Sequence, residues 1–310
     1  MPFIESCIAS VLAQDYPHME HIIQDGASTD GTRELIAAYA RKSDNIKWQS
    51  EPDRGQSDGL DRALKRSKGE ILLVLNADDE LLPGACAWAV EQMARHPHAA
   101  VIYGDYHSIN AKGALIGKYF SPSPYHFEKV FCVEQVLPAQ AAFIRRGHFE
   151  QVGFYADVTM RTAPDYEMWI RIGLRFPMKH VRGFVCRYRR HPGSEGSENS
   201  MVIKMIESKR NVIERTLIDS RTPEAIKKLG RRAHSGAIFW GAIVLLGNGA
   251  FGKSLSYVVQ SVCLDPIHLI RWLVTLPFRL IRKPFKPFLR LRWEGLQSFA
   301  VSFISRITAP

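Results

Sequence analysis

Apolar residues at positions 4, 8, 11 and 12 give Phe3–Ala13 a helical period. His21–Gln24 predicts a short strand that ends at Asp25, and Thr32–Arg41 a helix behind a Ser/Thr/Asp/Gly turn. Ile46–Ser50 predicts a strand, Ser57–Ser67 a helix, and the run Glu70–Leu75 a strand buried on both faces. Pro83 opens a helix that Pro97 closes. Ala100–Tyr103 and Leu115–Tyr119 predict strands around the turn Ala111-Lys112-Gly113. A strand over Ala141–Arg145, a helix over Asp165–Phe176 and a strand over Phe184–Arg189 complete this part. The alternation predicts an α/β fold, whose open sheets take ligands beyond the carboxyl ends of their strands.

The pattern then changes. Residues 196–224 are polar with a helical period, and Arg231–Leu246 and Phe251–Leu264 predict two helices around Gly247-Asn248-Gly249. Beyond Pro266, Leu, Trp and Phe interleave with Arg271, Arg279, Arg282, Lys283, Lys286, Arg290 and Arg292. We therefore expect an α/β body at 1–200, a helical linker and hairpin at 201–265, and a basic amphipathic membrane-associating extension at 266–310.

Charge sharpens this division. The chain has 310 residues and a formal net charge of +10. Thirteen basic residues lie from Lys227 onward against two acids, Asp265 and Glu294, so the body before them is close to neutral. That excludes a uniformly basic nucleic-acid surface on the body. The extension is rich in Leu, Ile, Val and Phe, which fits an anionic membrane interface better than single-strand stacking, and no nucleic-acid partner is expected. Cys7, Cys86, Cys132, Cys186 and Cys263 lie far apart without ligand spacing, which argues against structural zinc and a disulfide framework. No run of about eighteen apolar residues is present and no secretory signal is visible. The expected location is cytoplasmic, peripheral on the inner face of the membrane.

Five clusters carry candidate chemistry. The first, Asp25-Gly26-Ala27-Ser28-Thr29-Asp30-Gly31-Thr32, places an acid at a strand end and hydroxyls before a helix. Asp25, Ser28 and Asp30 are candidates for nucleotide contact, while a capped turn is the plain alternative. In Glu51-Pro52-Asp53-Arg54-Gly55-Gln56-Ser57-Asp58-Gly59, Arg54 suits phosphates and Asp53 or Asp58 a sugar or ribose, although a solvated loop fits equally. Asn76-Ala77-Asp78-Asp79 follows the apolar strand directly, and paired carboxylates there suit a hard divalent cation, Mg²⁺ or Mn²⁺. Asp79 as a helix cap is the alternative. Ala163-Pro164-Asp165-Tyr166-Glu167-Met168-Trp169 sets Asp165 at the start of a helix as a candidate general base, with capping its other role. Arg187-Tyr188-Arg189-Arg190-His191-Pro192-Gly193-Ser194 ends the last strand with cations and an imidazole, suited to a diphosphate or a metal.

In this order and spacing the five clusters closely resemble glycosyltransferase family 2, the inverting enzymes of polysaccharide and lipopolysaccharide synthesis. The resemblance spans roughly residues 3–197. It implies a GT-A, Rossmann-like mixed sheet flanked by helices, with the basic helical extension added to it. It further implies a nucleotide-diphosphate sugar as donor and a saccharide or lipid-linked saccharide as acceptor. Asp25 then matches the family's nucleotide-contacting acid, Asp78 its preferred metal ligand with Asp79 second, and Asp165 its catalytic base. His191 falls in a family His-Pro-Gly-Ser segment and joins the metal candidates.

Three departures qualify the match. The family begins with a strand ending in Pro-x-Tyr-Asn ahead of the first helix, whereas Met1 lies almost at that helix here. Either the true start lies upstream, or this is a catalytically impaired member that binds a nucleotide or a partner. Asp61 and Asn76 replace residues common at those positions, and Pro164 stands where an acid often precedes the base.

Overall fold

The computed structural model describes residues 3–160, 162–267 and 270. Residues 1–269 form one compact unit. The elements in order are α1 (Ile4–Leu12), β1 (His21–Asp25), α2 (Thr32–Ala40), β2 (Ile46–Ser50), α3 (Gln56–Arg66), β3 (Ile71–Leu73), β4 (Glu80–Leu81) and α4 (Ala85–Arg95). They continue with β5 (Val101–Asn110), β6 (Leu115–Tyr119), α5 (Phe127–Phe131), β7 (Ala142–Arg145), α6 (Arg146–Glu150), α7 (Pro164–Gly173) and β8 (Met178–Arg190). Helices α8 (Asn199–Ile218), α9 (Glu224–Lys227), α10 (Gly230–Gly247) and α11 (Phe251–Leu264) follow.

The strands form two sheets. β1 and β2 pair in parallel, with Asp25 opposite Ser50. The larger sheet runs β3-β7-β5-β8-β4, with β6 joined to β5. Only β5 and β8 pair in parallel there, so the sheet is mixed. β5 is long enough to serve two partners on one edge: its first residues pair with β7 and its last with β6. The β5–β8 contact is close enough to require glycine at 104, where a Cβ would lie 2.7 Å from the Gly183 carbonyl oxygen.

Three apolar clusters hold these layers. Ile4, Ile8, Ile23, Ile36 and Ile46 seal α1 and α2 onto the small sheet. Val11, Ala85, Ala89, Met93, Ile102 and Phe143 pack α1 and α4 against one face of the large sheet. The other face is covered by Trp169, Ile170 and Ile172 of α7, together with Val212, Ile213, Ile226, Ala233 and Ala237 of the C-terminal helices. Full burial of each large apolar side chain contributes about 1.5–3 kcal/mol relative to exposure.

Several boundaries differ from expectation for physical reasons. The strand expected at Glu70–Leu75 is only Ile71–Leu73, and of these only Leu72 is buried. It pairs with β7 on one edge and with no strand on the other among the described residues, so its flanks stay half-exposed. β8 starts six residues earlier than the apolar run predicts, because pairing with β5 outweighs its charged sequence. The helix after Pro83 begins at Ala85, with Gly84 in the left-handed region (φ 78°) before it. From the stretch 201–265, expected as a helical linker and hairpin, Val212, Ile213, Ile226, Ala233 and Ala237 join the core that includes sheet residues. Beyond Ile270, the expected basic extension lies outside the described residues.

His21, at the head of β1, has its Nδ1 enclosed without a hydrogen-bond partner. Burial disfavours the charged imidazolium and pushes its pKa from 6.5 down to about 4. The unfolded chain therefore binds a proton that the folded chain refuses between those values, and this share of stability is present above pH 6.5 and lost as pH falls towards 4. The loss is at most about 3 kcal/mol. Urea unfolding across that window should show His21→Leu with a shallower decline than the parent chain. Parallel declines would mean that other groups set the pH dependence.

Candidate active site

The loops that follow β1, β2 and β3, the approach to α7 and the end of β8 carry all five sequence clusters. At the end of β1 the Asp25 carboxylate is buried, and its Oδ2 accepts the Ser28 N–H at 3.0 Å and the Ser50 hydroxyl at 2.6 Å. Burial alone would raise its pKa, but hydrogen bonds from Ser28, Ser50 and the Ala27 N–H together carry it below the ordinary value. The acid is thus kept ionised at a strand end. Ser50 was not legible as a site residue; only its place at the end of the parallel neighbour, β2, marks it. Asp30 is exposed and accepts hydrogen bonds from the Thr32 N–H and hydroxyl, the arrangement of a helix-start turn.

The second loop lies against the first. The Asp53 carboxylate stands where a side chain at 26 would project: a Cβ there would be 2.9 Å from Asp53 Oδ2. A Cβ on Gly59 would lie 3.2 Å from the same oxygen. Asp53 Oδ1 also accepts the Gly55 N–H at 2.9 Å. Asp58 is buried and serves the loop itself, accepting the Arg54 N–H at 3.0 Å and the Arg62 guanidinium at 2.8 Å. The Arg54 side chain binds its other oxygen at 3.2 Å and, as the foremost influence, helps hold its pKa down to about 2. Arg54 itself is largely exposed and available to an anion.

The start of α3 ties this loop to two others. Gln56 Nε2 donates to Asn76 Oδ1 at 3.2 Å, and the Ser57 hydroxyl donates to the Met160 carbonyl just before the Asp165 segment. Thr162 and Ser208 share a hydroxyl hydrogen bond of 2.8 Å, which fastens the same segment to α8. Ala163 then adopts a left-handed conformation (φ 54°, ψ 45°), and Pro164 begins α7. A non-glycine residue in that region is held by its surroundings, and the pair fixes where Asp165 emerges. Asp165 is half-buried; its Oδ1 accepts the Tyr166 N–H at 2.9 Å, and Tyr166 is itself anchored by its hydroxyl on the Phe131 carbonyl. Lys209 of α8 is buried beside this corner, with its ammonium 4.8 Å from the centroids of both Tyr166 and Trp240. Burial pushes its pKa down, and the Asp165 charge opposes that shift. Nothing in the polar stretch 196–224 singles Lys209 out in the sequence.

The two carboxylates after β3 are placed differently. Asp78 is partly exposed, and its Oδ2 lies 3.1 Å from His191 Nε2. Asp79, expected as a second metal ligand, is fully buried, and its Oδ1 accepts the Arg189 N–H at 2.9 Å. Burial, and then the Asp78 charge, push its pKa up to about 7. Asp79 therefore shapes the loop, whereas Asp78 and His191 face outward together. Among the described residues no group of three or more His, Cys, Asp or Glu converges. One carboxylate and one imidazole fit a hard divalent cation that draws its remaining ligands from diphosphate oxygens and water.

Arg189 holds this arrangement from beneath. Its Nε donates to the Asp78 carbonyl at 2.8 Å, its Nη1 to the Asn110 and Ala111 carbonyls at 3.3 Å, and its Nη2 to Ser6 Oγ at 3.2 Å and to Glu80. Its guanidinium also lies 4.9 Å from the Phe3 ring centroid, and Phe3 packs on His191.

Comparison with known proteins decides the family. The model described as Glycosyl transferase family 2 matches residues 2–153. The chain belongs to glycosyltransferase family 2. An uncharacterized glycosyltransferase of Mycobacterium tuberculosis is 28% identical over 191 residues, covering 60% of this chain and 69% of that protein. Hyaluronan synthase of Pasteurella multocida is 24% identical over 209 residues, 67% of this chain but only 21% of the synthase. Among solved structures, S. aureus TarS 1-349 aligns with a TM-score of 0.59 at 17% identity, over 84% of this chain and 79% of TarS. The mannosyltransferase PcManGT from Pyrobaculum calidifontis, in complex with GDP-Man and Mn²⁺, aligns at 0.57 and 17% identity over 97% of this chain and 81% of its own. These likenesses establish the GT-A glycosyltransferase fold.

The Arg189 contacts generate a test. Partners that orient metal ligands typically carry 10–100-fold of metal affinity. Arg189→Met should weaken Mn²⁺ binding, followed by the electron paramagnetic resonance of free Mn²⁺, by about that factor. Unaltered Mn²⁺ affinity in a folded variant would separate Arg189 from the site.

Proposed function

We propose that this family 2 glycosyltransferase moves a sugar from a nucleotide-diphosphate sugar to an acceptor hydroxyl with inversion, in the synthesis of cell-surface polysaccharide or lipopolysaccharide. The observation that carries the reading is the convergence of the Asp25–Ser28–Ser50 cluster, Asp53 and Arg54, and the Asp78–His191 pair on neighbouring strand-end loops. Asp25 and Ser28 would contact the nucleoside, Asp53 and Arg54 the ribose or phosphates, and Asp78 with His191 would hold Mg²⁺ or Mn²⁺. Bound there, such a cation neutralises charge on the leaving diphosphate. TarS has been crystallised with UDP-GlcNAc and PcManGT with GDP-Man and Mn²⁺, which supports a nucleotide-sugar donor and a metal.

Asp165 accepts the proton of the acceptor hydroxyl as that oxygen attacks the anomeric carbon from the face opposite the nucleotide. The bond to the diphosphate oxygen breaks in the same displacement, so configuration inverts once. Lipid-linked acceptors would lie at the anionic inner face of the cytoplasmic membrane, with residues 266–310 as the expected point of association. No helix among the described residues is long and apolar enough to cross a membrane.

A second reading, a catalytically impaired member that binds nucleotide or a partner, draws on a specific observation. β1 and β3 each pair on one edge only among the described residues, so the nucleotide and metal halves of the site belong to separate sheets.

Donor-dependent transfer with Mn²⁺ distinguishes the two. A positioned base contributes about 10²–10⁴-fold, so Asp165→Asn should lower kcat by that order while donor binding persists. Asp78→Ala should abolish the response to Mn²⁺. Undiminished turnover in both variants would defeat the assignment, and donor binding without turnover by the parent chain would establish the second reading.

A further inference from the structure

Helix α11 buries serines while leaving part of its apolar content exposed, with Tyr257, Val258, Val262 and Leu264 half-buried. Its buried positions are Ser254 and Ser261, whose hydroxyls bond the Ala242 carbonyl and Ser235 of α10, each at 2.8 Å. Its solvent side carries Phe251, Leu255 and Val259, which are 51%, 65% and 54% exposed, with Ile267 beyond the helix end at 53%. These residues and the exposed Cys263 recur every four positions, a stripe that winds slowly across one side. Ile243 and Leu246 of α10, close in sequence to the hairpin turn, are exposed as well. A surface helix normally buries its apolar side and exposes its polar one, and exposed apolar area of this kind marks a surface of interaction.

Charge identifies the occupant. At the opposite end of the hairpin a cleft of about 450 Å³, lined in part by Leu264, carries Arg210, Lys227, Lys228 and Arg231 against Glu214. Arg231 Nε donates to the Leu264 carbonyl at 3.2 Å, so this basic rim adjoins the end of α11. In sequence, the chain then runs into the basic stretch from Arg271 to Arg292. An anionic bilayer offers the charge complementary to this rim and to the basic stretch that follows it. We infer that the outer face of α11 docks on an anionic membrane interface, its apolar side chains entering the headgroup–acyl boundary and the basic rim meeting lipid phosphates. The inference rests on the membrane association proposed above and names a surface for it.

The test uses the full chain with Cys86→Ser, labelled at Cys263 with an environment-sensitive nitrobenzoxadiazole dye. Vesicles of phosphatidylcholine with phosphatidylglycerol should pellet the protein and shift the dye emission to the blue. Vesicles of phosphatidylcholine alone should do so weakly, and added salt should reduce the effect. Leu255→Glu with Val259→Glu should lower the bound fraction on the order of tenfold or more while thermal unfolding and sugar transfer to a soluble acceptor stay unchanged. Pelleting with an unmoved dye signal, or undiminished binding by the double variant, would overturn the assignment to α11 while leaving membrane association intact. A blue shift that appears without vesicles as protein concentration rises would place a second copy on the face and overturn the inference. Failure of the parent chain to bind any vesicle would remove the membrane reading itself.

Discussion

A guanidinium buried at the end of a strand needs acceptors for its donors and a counter-charge close by, or it destabilises the fold. Arg189 is 3% exposed and finds carbonyls on the loop after β3 and on the β5–β6 turn, a hydroxyl on α1, and the Glu80 carboxylate. Its backbone N–H meanwhile holds Asp79. Three segments distant in sequence therefore meet on Arg189, and the placement of Asp78 beside His191 follows from it. The inner carboxylate is thus engaged, while the outer one stays partly exposed beside His191. Pairing of two acids after an apolar strand was visible in the sequence. Their division into one structural and one outward-facing group depends on burial, which the motif does not encode.

The same distinction explains what else was legible. Ile46–Ser50 and Phe251–Leu264 were predicted with their observed bounds because apolar pattern and turn residues agree there. The ordered clusters placed Asp25, Asp53, Asp78 and His191 at loops that do adjoin one another. Asp58, a candidate with Asp53 for a sugar or ribose contact, pairs with Arg54 and Arg62, each four residues away. Ser50 and Lys209 act through partners 25 and more residues away. A lysine in a polar helical stretch carries no sign that two aromatic rings will enclose it.

The C-terminal helices show the limit of reading polarity from composition. Residues 196–224 read as a polar linker helix, yet Val202, Ile206, Val212 and Ile213 are buried, and Val212 and Ile213 join the core cluster over the large sheet. Contact with α10 is tight: a Cβ on Gly241 would lie 2.2 Å from Ile206 Cδ1. Conversely α11 buries Ser254 and Ser261 and leaves Phe251, Leu255 and Val259 exposed. Which side of a helix is buried depends on what small residues and hydroxyls its neighbour offers. Ser235 and Ala242 of α10 select the serine side of α11.

The division of the sheet bears on how the Asp25 side and the Asp78 side of the candidate site are set relative to each other. In an uninterrupted sheet, ladder hydrogen bonds would fix one strand end against the next. Here β1 is joined to the large sheet's side by side chains instead. Glu20 accepts the Lys68 and Gly69 N–H groups, and Arg66 donates to Gln24 Oε1 at 2.8 Å and more weakly to the Ile23 carbonyl at 3.4 Å. Each such bond contributes about 0.5–1.5 kcal/mol net, and none restrains strand direction as a ladder does. The contact of Asp53 with Gly26, and that of Gln56 with Asn76, therefore matter more than they would in a continuous sheet. They hold the Asp25 loop, the α3 start and the Asp78 loop in one arrangement, and the geometry of the candidate active site follows from them.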